Sequence, residues 1–226
     1  MKLLVTDFDG TLYTDDYNKN IEALNKFKQK GNKVVIATGR YLSSLKEDLD
    51  KRIDYDYLIC TDGSIIYDNN DNVFYKELID KESCEYITNQ LRKLEEVNNI
   101  YCLNGDKLLD YDEYDSTNAI IASFEDRKIV EKHFENILKE VPSLNGYIST
   151  KWINITSKKA SKKTAIDIIA SRLKLSKNDV IVFGDNINDI DMINYYDGYI
   201  VIKEHDVLDG HNNKKVNNIY EIIDKL

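Results

Sequence analysis

The sequence predicts an α/β fold, a doubly wound parallel sheet carrying an inserted α+β unit. Three observations predict it. Short apolar runs such as Lys33–Ala37 and Val180–Phe183 alternate with stretches whose apolar residues recur at helical spacing, the pattern of βαβ units. From about residue 80 to 156 that pattern gives way to amphipathic helices between short strand-like pieces, and it then resumes. Finally, the apolar runs end in acidic, hydroxyl and glycine residues, where open parallel sheets bind ligands.

The first run, Leu3-Leu4-Val5-Thr6, leads straight into Asp7-Phe8-Asp9-Gly10-Thr11. Residues two apart on an extended backbone point the same way, so the two carboxylates leave the strand close together, and Gly10 lets the chain turn. Two carboxylates at one strand tip repel each other unless a cation sits between them, and hard oxygen donors of this kind suit Mg²⁺. Taken alone, the pair also fits a solubilising acidic turn. Tyr17, Ile21, Leu24 and Phe27 then lie on one helical face, with lysines 26, 28 and 30 near its end and Gly31 to stop it.

Lys33–Ala37 is a second strand, ending in Thr38-Gly39-Arg40. Leu42, Leu45 and Leu49 mark a shorter helix, and Tyr57–Cys60 a third strand before Thr61-Asp62-Gly63-Ser64. Ile65–Tyr67, a polar turn at Asp68–Asn72 and Val73–Tyr75 read as a β-hairpin. In the insert, Ile87, Leu91 and Leu94 mark one helix, and Val130, Phe134, Ile137 and Val141 a second, broken by Pro142. Strand pieces are expected around Ile100–Leu103, Lys107–Asp110, Asn118–Phe124, Tyr147–Ser149 and Lys151–Thr156.

The doubly wound pattern resumes with Ile166, Ile169 and Leu173 on a helix capped by Ser161. Val180–Phe183 is a strand ending in Gly184-Asp185-Asn186-Ile187-Asn188-Asp189, followed by a short helix through Met192. Tyr199–Ile202 is a further strand, and Ile219, Ile222, Ile223 and Leu226 form a closing helix. The expected division is a discontinuous core of residues 1–79 and 157–226 and an α+β lid of 80–156.

The chain has 226 residues, 42% apolar, with a net charge of −9, which suits a proper core and disfavours non-specific binding to nucleic acid or an anionic membrane. Cys60, Cys84 and Cys102 are an odd number without metal-ligand spacing, so neither zinc nor a disulfide framework is expected. No apolar run has the form of a signal peptide or reaches the ~18 residues of a membrane span, so a cytoplasmic location is expected. Neither a phosphate-binding G-x-x-x-x-G-K-[ST] loop nor a G-x-G-x-x-G fingerprint occurs. His133 reads as structural, His205 and His211 as loop residues, and Trp152 as an apolar anchor where the insert rejoins the core.

Asp7, Thr38 and Asp185 each end an apolar strand of one inferred sheet. Together Asp7-Phe8-Asp9-Gly10-Thr11, Thr38-Gly39-Arg40, a lysine, and Gly184-Asp185-x-x-Asn188-Asp189-x-x-Met192 resemble the haloacid dehalogenase (HAD) superfamily. Within it the chain is most similar to subfamily IIB, the Cof-like, sugar-phosphatase-type hydrolases. The resemblance covers roughly 1–79 and 157–226 and implies a HAD-like, Rossmannoid core with an inserted cap. It implies that Asp7 attacks phosphorus, that Asp9 gives and takes the proton, and that Thr38 and Lys162 bind the transferring phosphoryl. Mg²⁺ would be held by the side chains of Asp7 and Asp185 and the Asp9 carbonyl. Asp189 would lie near the metal or orient the lysine, and Gly39 and Asn188 would lie on the substrate side; Arg40 reads as reaching the substrate or the inserted unit, or equally as a surface arginine at a helix start. An ordinary aspartate is ionised at neutral pH, which makes Asp7 ready to attack, whereas Asp9 must carry a proton when the leaving group departs, as burial or acidic neighbours would favour.

The sequence departs from that branch in three places. Asp62-Gly63-Ser64 stands for the usual Asn-Gly-Ala, so Asp62 either adds charge near the phosphate site or caps the turn. Ile202-Lys203-Glu204-His205 replaces a Met-x-Asn-Ala run. Lys163 follows Lys162 where glycine is usual, and the 23-residue offset from Lys162 to Asp185 favours Lys162. The function expected is Mg²⁺-dependent hydrolysis of a small phosphorylated metabolite, with a sugar phosphomutase or a non-catalytic phospho-ligand sensor as alternatives, and with monomer and homodimer both open.

Overall fold

The computed structural model of the chain describes residues 1–109, 114–203, 208 and 210–226. They form two compact units, Met1–Phe74 with Ser161–Leu226, and Tyr75–Ala160.

The first unit begins with β1 (Leu3–Asp7), α1 (Tyr17–Gln29), β2 (Lys33–Ala37), α2 (Leu42–Asp48) and β3 (Tyr57–Cys60). The hairpin β4 (Ile65–Asp68) and β5 (Val73–Lys76) follows, its second strand crossing the division between units. After the insert come α5 (Lys162–Arg172), β11 (Val180–Gly184), α6 (Ile190–Tyr196), β12 (Tyr199–Val201), β13 (Lys214–Val216) and α7 (Tyr220–Ile223). They build one sheet in the order β13-β12-β11-β1-β2-β3-β4-β5. All pairs from β13 to β3 are parallel, and β4 turns back antiparallel on β3.

The position of β1 in that order decides where a ligand can bind. The chain winds outward from β1 through β2 and β3, then returns to its other side through β11 and β12. Connections leaving in opposite directions open a crevice at the carboxyl ends of β1 and β11, which are the ends that carry Asp7 and Asp185. Side chains of successive strand residues alternate between faces. Leu4, Val34, Ile36 and Leu58 join Leu24, Phe27, Leu45 and Phe183 in one core, and their alternates Leu3, Val5, Val35, Ile59 and Val182 are equally buried. Burial on both faces is why these strands are apolar throughout.

β13 was not expected. Its two lysines are exposed and only Val216 is buried, so an edge strand of three residues leaves no alternating pattern to read. The Glu204 and His205 positions, like Asp110 in the insert, lie outside the described residues.

The second unit carries α3 (Lys81–Arg92), β6 (Val97–Asn104), β7 (Lys107–Leu109), β8 (Ala119–Phe124), α4 (Arg127–Lys139), β9 (Leu144–Ser149) and β10 (Trp152–Ser157). Its sheet is antiparallel in the order β7-β6-β8-β10-β9. Ile87, Leu91 and Val130 of its helices meet Ile120, Phe124, Ile153 and Ile155 of the sheet in a separate core. Asp80 and Asp126 cap the two helices by accepting from Ser83 and Ile129 backbone N–H groups. Trp152 stacks on Tyr101 across this sheet, and His133 stacks on Phe124. Cys60, Cys84 and Cys102 are buried thiols that form no disulfide. Among the described residues no helix is long and apolar enough to cross a membrane.

Candidate active site

Asp7 ends β1 and is buried, with 6% of its surface exposed. Its Oδ1 accepts from the Lys162 ammonium at 2.6 Å, and the same ammonium donates to Asp189 Oδ1 at 2.6 Å. Lys162 is the first residue of α5 and is 1% exposed. Helix geometry places it there. Ser161 caps the helix by accepting from the Thr164 N–H, while the Thr164 hydroxyl accepts from the Ser161 N–H. Lys163, one residue on, turns away to Asp167 and lies over the Tyr195 ring, so only Lys162 meets Asp7.

The start of α5 is seated against a turn at Thr61, Asp62 and Gly63 with φ of 43°, 54° and 95°. A Cβ on Gly63 would stand 2.1 Å from the Ser161 carbonyl oxygen, so a side chain there would push the lysine's helix away. Asp62 accepts from Asn188 Nδ2 at 2.8 Å, which ties this turn to the loop after β11.

Asp189 is fully buried. Besides Lys162, it accepts from the backbone N–H groups of Asp185 and Asn186, both at 3.1 Å, so it orients the lysine and closes its own loop. Asp185 is buried too, and takes the Thr11 hydroxyl at 2.6 Å on one oxygen and the Lys203 ammonium on the other. Asp7, Asp185 and Asp189 each offer a carboxylate oxygen, all within 4.8 Å of one another.

The electrostatics of this cluster differ from expectation at Asp7. Burial pushes its carboxyl well above the ordinary range; Lys162 opposes that, and the negative charges of Asp189 and Asp185 add to it. An ordinary aspartate would be ionised, but this one is short of positive charge. For Lys162, burial favours loss of the proton, yet Asp189 and Asp7 outweigh it and hold the ammonium firmly charged.

Asp9 stands apart from the cluster. It is exposed, and Arg40 grips both its oxygens, Nε to Oδ2 at 2.8 Å and Nη2 to Oδ1 at 2.6 Å. It is not buried, and its partner is a guanidinium. Arg40 in turn is held by Asp48 at 2.6 Å and by the Ser44 carbonyl at 3.2 Å, so its fork is spent on Asp9 and α2. Thr38 is buried at the end of the second strand, its hydroxyl accepting from the Arg40 N–H at 3.1 Å, and Gly39 lies between them.

Among the contacts that sequence reasoning did not foresee are those of Thr11 and Lys203 with Asp185. Thr11 was visible as part of the first motif, though with no partner. Lys203 was visible as part of the run that replaces the Met-x-Asn-Ala pattern, though with no partner.

The family model for haloacid dehalogenase-like hydrolases matches residues 4–119 and 106–206. A phosphoglycolate phosphatase of Archaeoglobus fulgidus is 31% identical over 84% of this chain and 78% of its own length. A 5-amino-6-(5-phospho-D-ribitylamino)uracil phosphatase of Bacillus subtilis is 26% identical over 85% of this chain and 80% of its own. Among solved structures, a HAD subclass IIB sugar phosphatase superposes with a TM-score of 0.73 at 22% identity, covering 88% of this chain and 87% of that one. A Plasmodium vivax structure described as HAD/COF-like reaches 0.82 at 21% identity, over 100% and 95% of the two chains. Those two share the fold. With its motifs gathered at one crevice and the family model spanning most of its length, the chain belongs to the haloacid dehalogenase-like hydrolases.

Proposed function

We propose that this hydrolase is a Mg²⁺-dependent phosphatase that cleaves a small phosphate monoester through an aspartyl-phosphate on Asp7. One observation carries the reading: a nucleophile-type carboxylate and a buried lysine meet beside two further buried carboxylates at the crevice of a doubly wound sheet. Three hard oxygen donors with too little positive charge among them fit Mg²⁺, which Asp7 and Asp185 would hold with the Asp9 carbonyl. The metal would supply positive charge against the phosphate oxygens and return Asp7 to its ionised form.

The residues divide the work. An Asp7 oxygen attacks phosphorus as the ester P–O bond breaks, and the departing oxygen takes a proton from Asp9. Asp9 then takes a proton from water, whose oxygen attacks the aspartyl-phosphate, releasing phosphate and restoring Asp7. Lys162 and the Thr38 hydroxyl bind phosphoryl oxygens. Arg40 holds the Asp9 carboxylate in position, and loading a proton onto Asp9 must loosen that pair. Asp189 keeps Lys162 aimed, and Asn188 and Gly39 border the substrate. The second unit, with its own sheet and core, is the part that selects the ester. A sugar phosphate or a similar metabolite is the substrate class.

The test is hydrolysis of p-nitrophenyl phosphate with Mg²⁺. Asp7→Asn should abolish release of free phosphate while leaving the circular dichroism spectrum unchanged. Turnover at the wild-type rate would remove Asp7 from the mechanism, and conversion of a sugar phosphate to its isomer without free phosphate would indicate a mutase.

A further inference from the structure

Lys203 lies two residues beyond the end of β12, which runs parallel to β11 with Phe183 opposite Tyr199 and Gly184 opposite Ile200. The two strands therefore finish at the same edge, and the Lys203 side chain crosses from one to the other to reach Asp185. Its path runs over Gly10. A Cβ on Gly10 would fall 1.7 Å from the Lys203 ammonium and 3.2 Å from Asp185 Oδ2. Gly10 thus leaves a space at the acidic tip, and an ammonium fills it.

The two partners differ in how freely they can part. The Asp185 side chain is 3% exposed, whereas that of Lys203 is 43% exposed. A buried carboxylate without a counter-charge is costly, so something positive has to stand beside it. A lysine on a flexible, half-exposed stem can do this and can also leave at small cost. A divalent ion on Asp185 would compete for the same oxygen and repel the ammonium.

We propose that Lys203 is an internal counter-cation of the acidic site. It neutralises Asp185 when no divalent ion is bound, yields when one binds, and thereby weakens and sets the metal affinity. This rests on the reading of the site as a Mg²⁺ site, and it makes Lys203 a positioning residue that acts through Asp185. By linkage, whatever stabilises the ammonium at Asp185 is subtracted from metal binding.

Mn²⁺ is a direct probe, because the free ion is counted by electron paramagnetic resonance without any turnover. Titration of wild type, Lys203→Met, Lys203→Arg and Asp185→Asn should give a Kd for Lys203→Met about fivefold tighter than wild type, the scale of a half-exposed ion pair. Lys203→Arg should stay near wild type, and Asp185→Asn should lose binding. In EDTA, Lys203→Met should melt below wild type, since Asp185 then loses its ion-pair partner and keeps the Thr11 hydroxyl. A Lys203→Met Kd equal to or weaker than wild type, with wild type binding and Asp185→Asn not, would overturn the role of Lys203 alone. Failure of wild type to bind Mn²⁺ would overturn both this role and the metal site.

Discussion

The proposed role of Asp7 asks it to be buried and anionic at once, and the two demands conflict. Burial raises its pKa, and Lys162 alone does not compensate for it beside Asp189 and Asp185. The folded metal-free protein therefore holds the Asp7 proton more tightly than the unfolded chain does. A carboxyl with a raised folded pKa costs stability as pH climbs above its unfolded value near 3.8. In EDTA, Asp7→Asn should thus gain stability relative to wild type as pH rises above about 4, as read by urea unfolding at each pH. A constant difference would mean that Lys162 already balances the charge. The neighbouring Arg40–Asp9 pair, a bidentate guanidinium on an exposed carboxylate, fixes direction more than it adds stability.

At the scale of elements, the loop after β11 and the start of α5 carry the residues of the proposed site, and glycines set their spacing. A Cβ on Gly184 would come within 2.5 Å of the Asp189 Cβ, the residue that aims Lys162. Gly184→Ala should cost about 1–3 kcal/mol by overpacking. It should also lower kcat more than that loss of folded protein explains, because the lysine is displaced with Asp189. Chemical unfolding and steady-state kinetics on the same preparation separate the two effects. A variant that is destabilised but fully active would show that Asp189 tolerates movement.

At the scale of the whole molecule, acidic groups outnumber basic ones, with a net charge of −9, and three buried carboxylates concentrate that excess at one sheet edge. A cation that binds only the folded state should stabilise it by about 2.7 kcal/mol at one hundred times its Kd. Mg²⁺ should accordingly raise the melting temperature of wild type, EDTA should reverse the rise, and Asp185→Asn should abolish it. Scanning calorimetry gives the answer directly, and a wild-type melting temperature indifferent to Mg²⁺ would speak against a site in the folded state.

The alternation of apolar runs with helical spacing, the inserted α+β stretch and the Asp, Thr and Asp at three strand ends were all legible in the chain itself. They are local patterns of period 2 or 3.6, and each sits next to the chemistry it presents. The Ser161 cap was legible for the same reason. Tertiary structure alone decided what depends on approach between distant segments. It turned Arg40 onto Asp9 and tied Asn188 to Asp62. It also brought Lys203 across from a neighbouring strand to Asp185. Which carboxylate a long side chain reaches is set by packing and by the cost of leaving buried charge uncompensated, and no linear pattern encodes that sum.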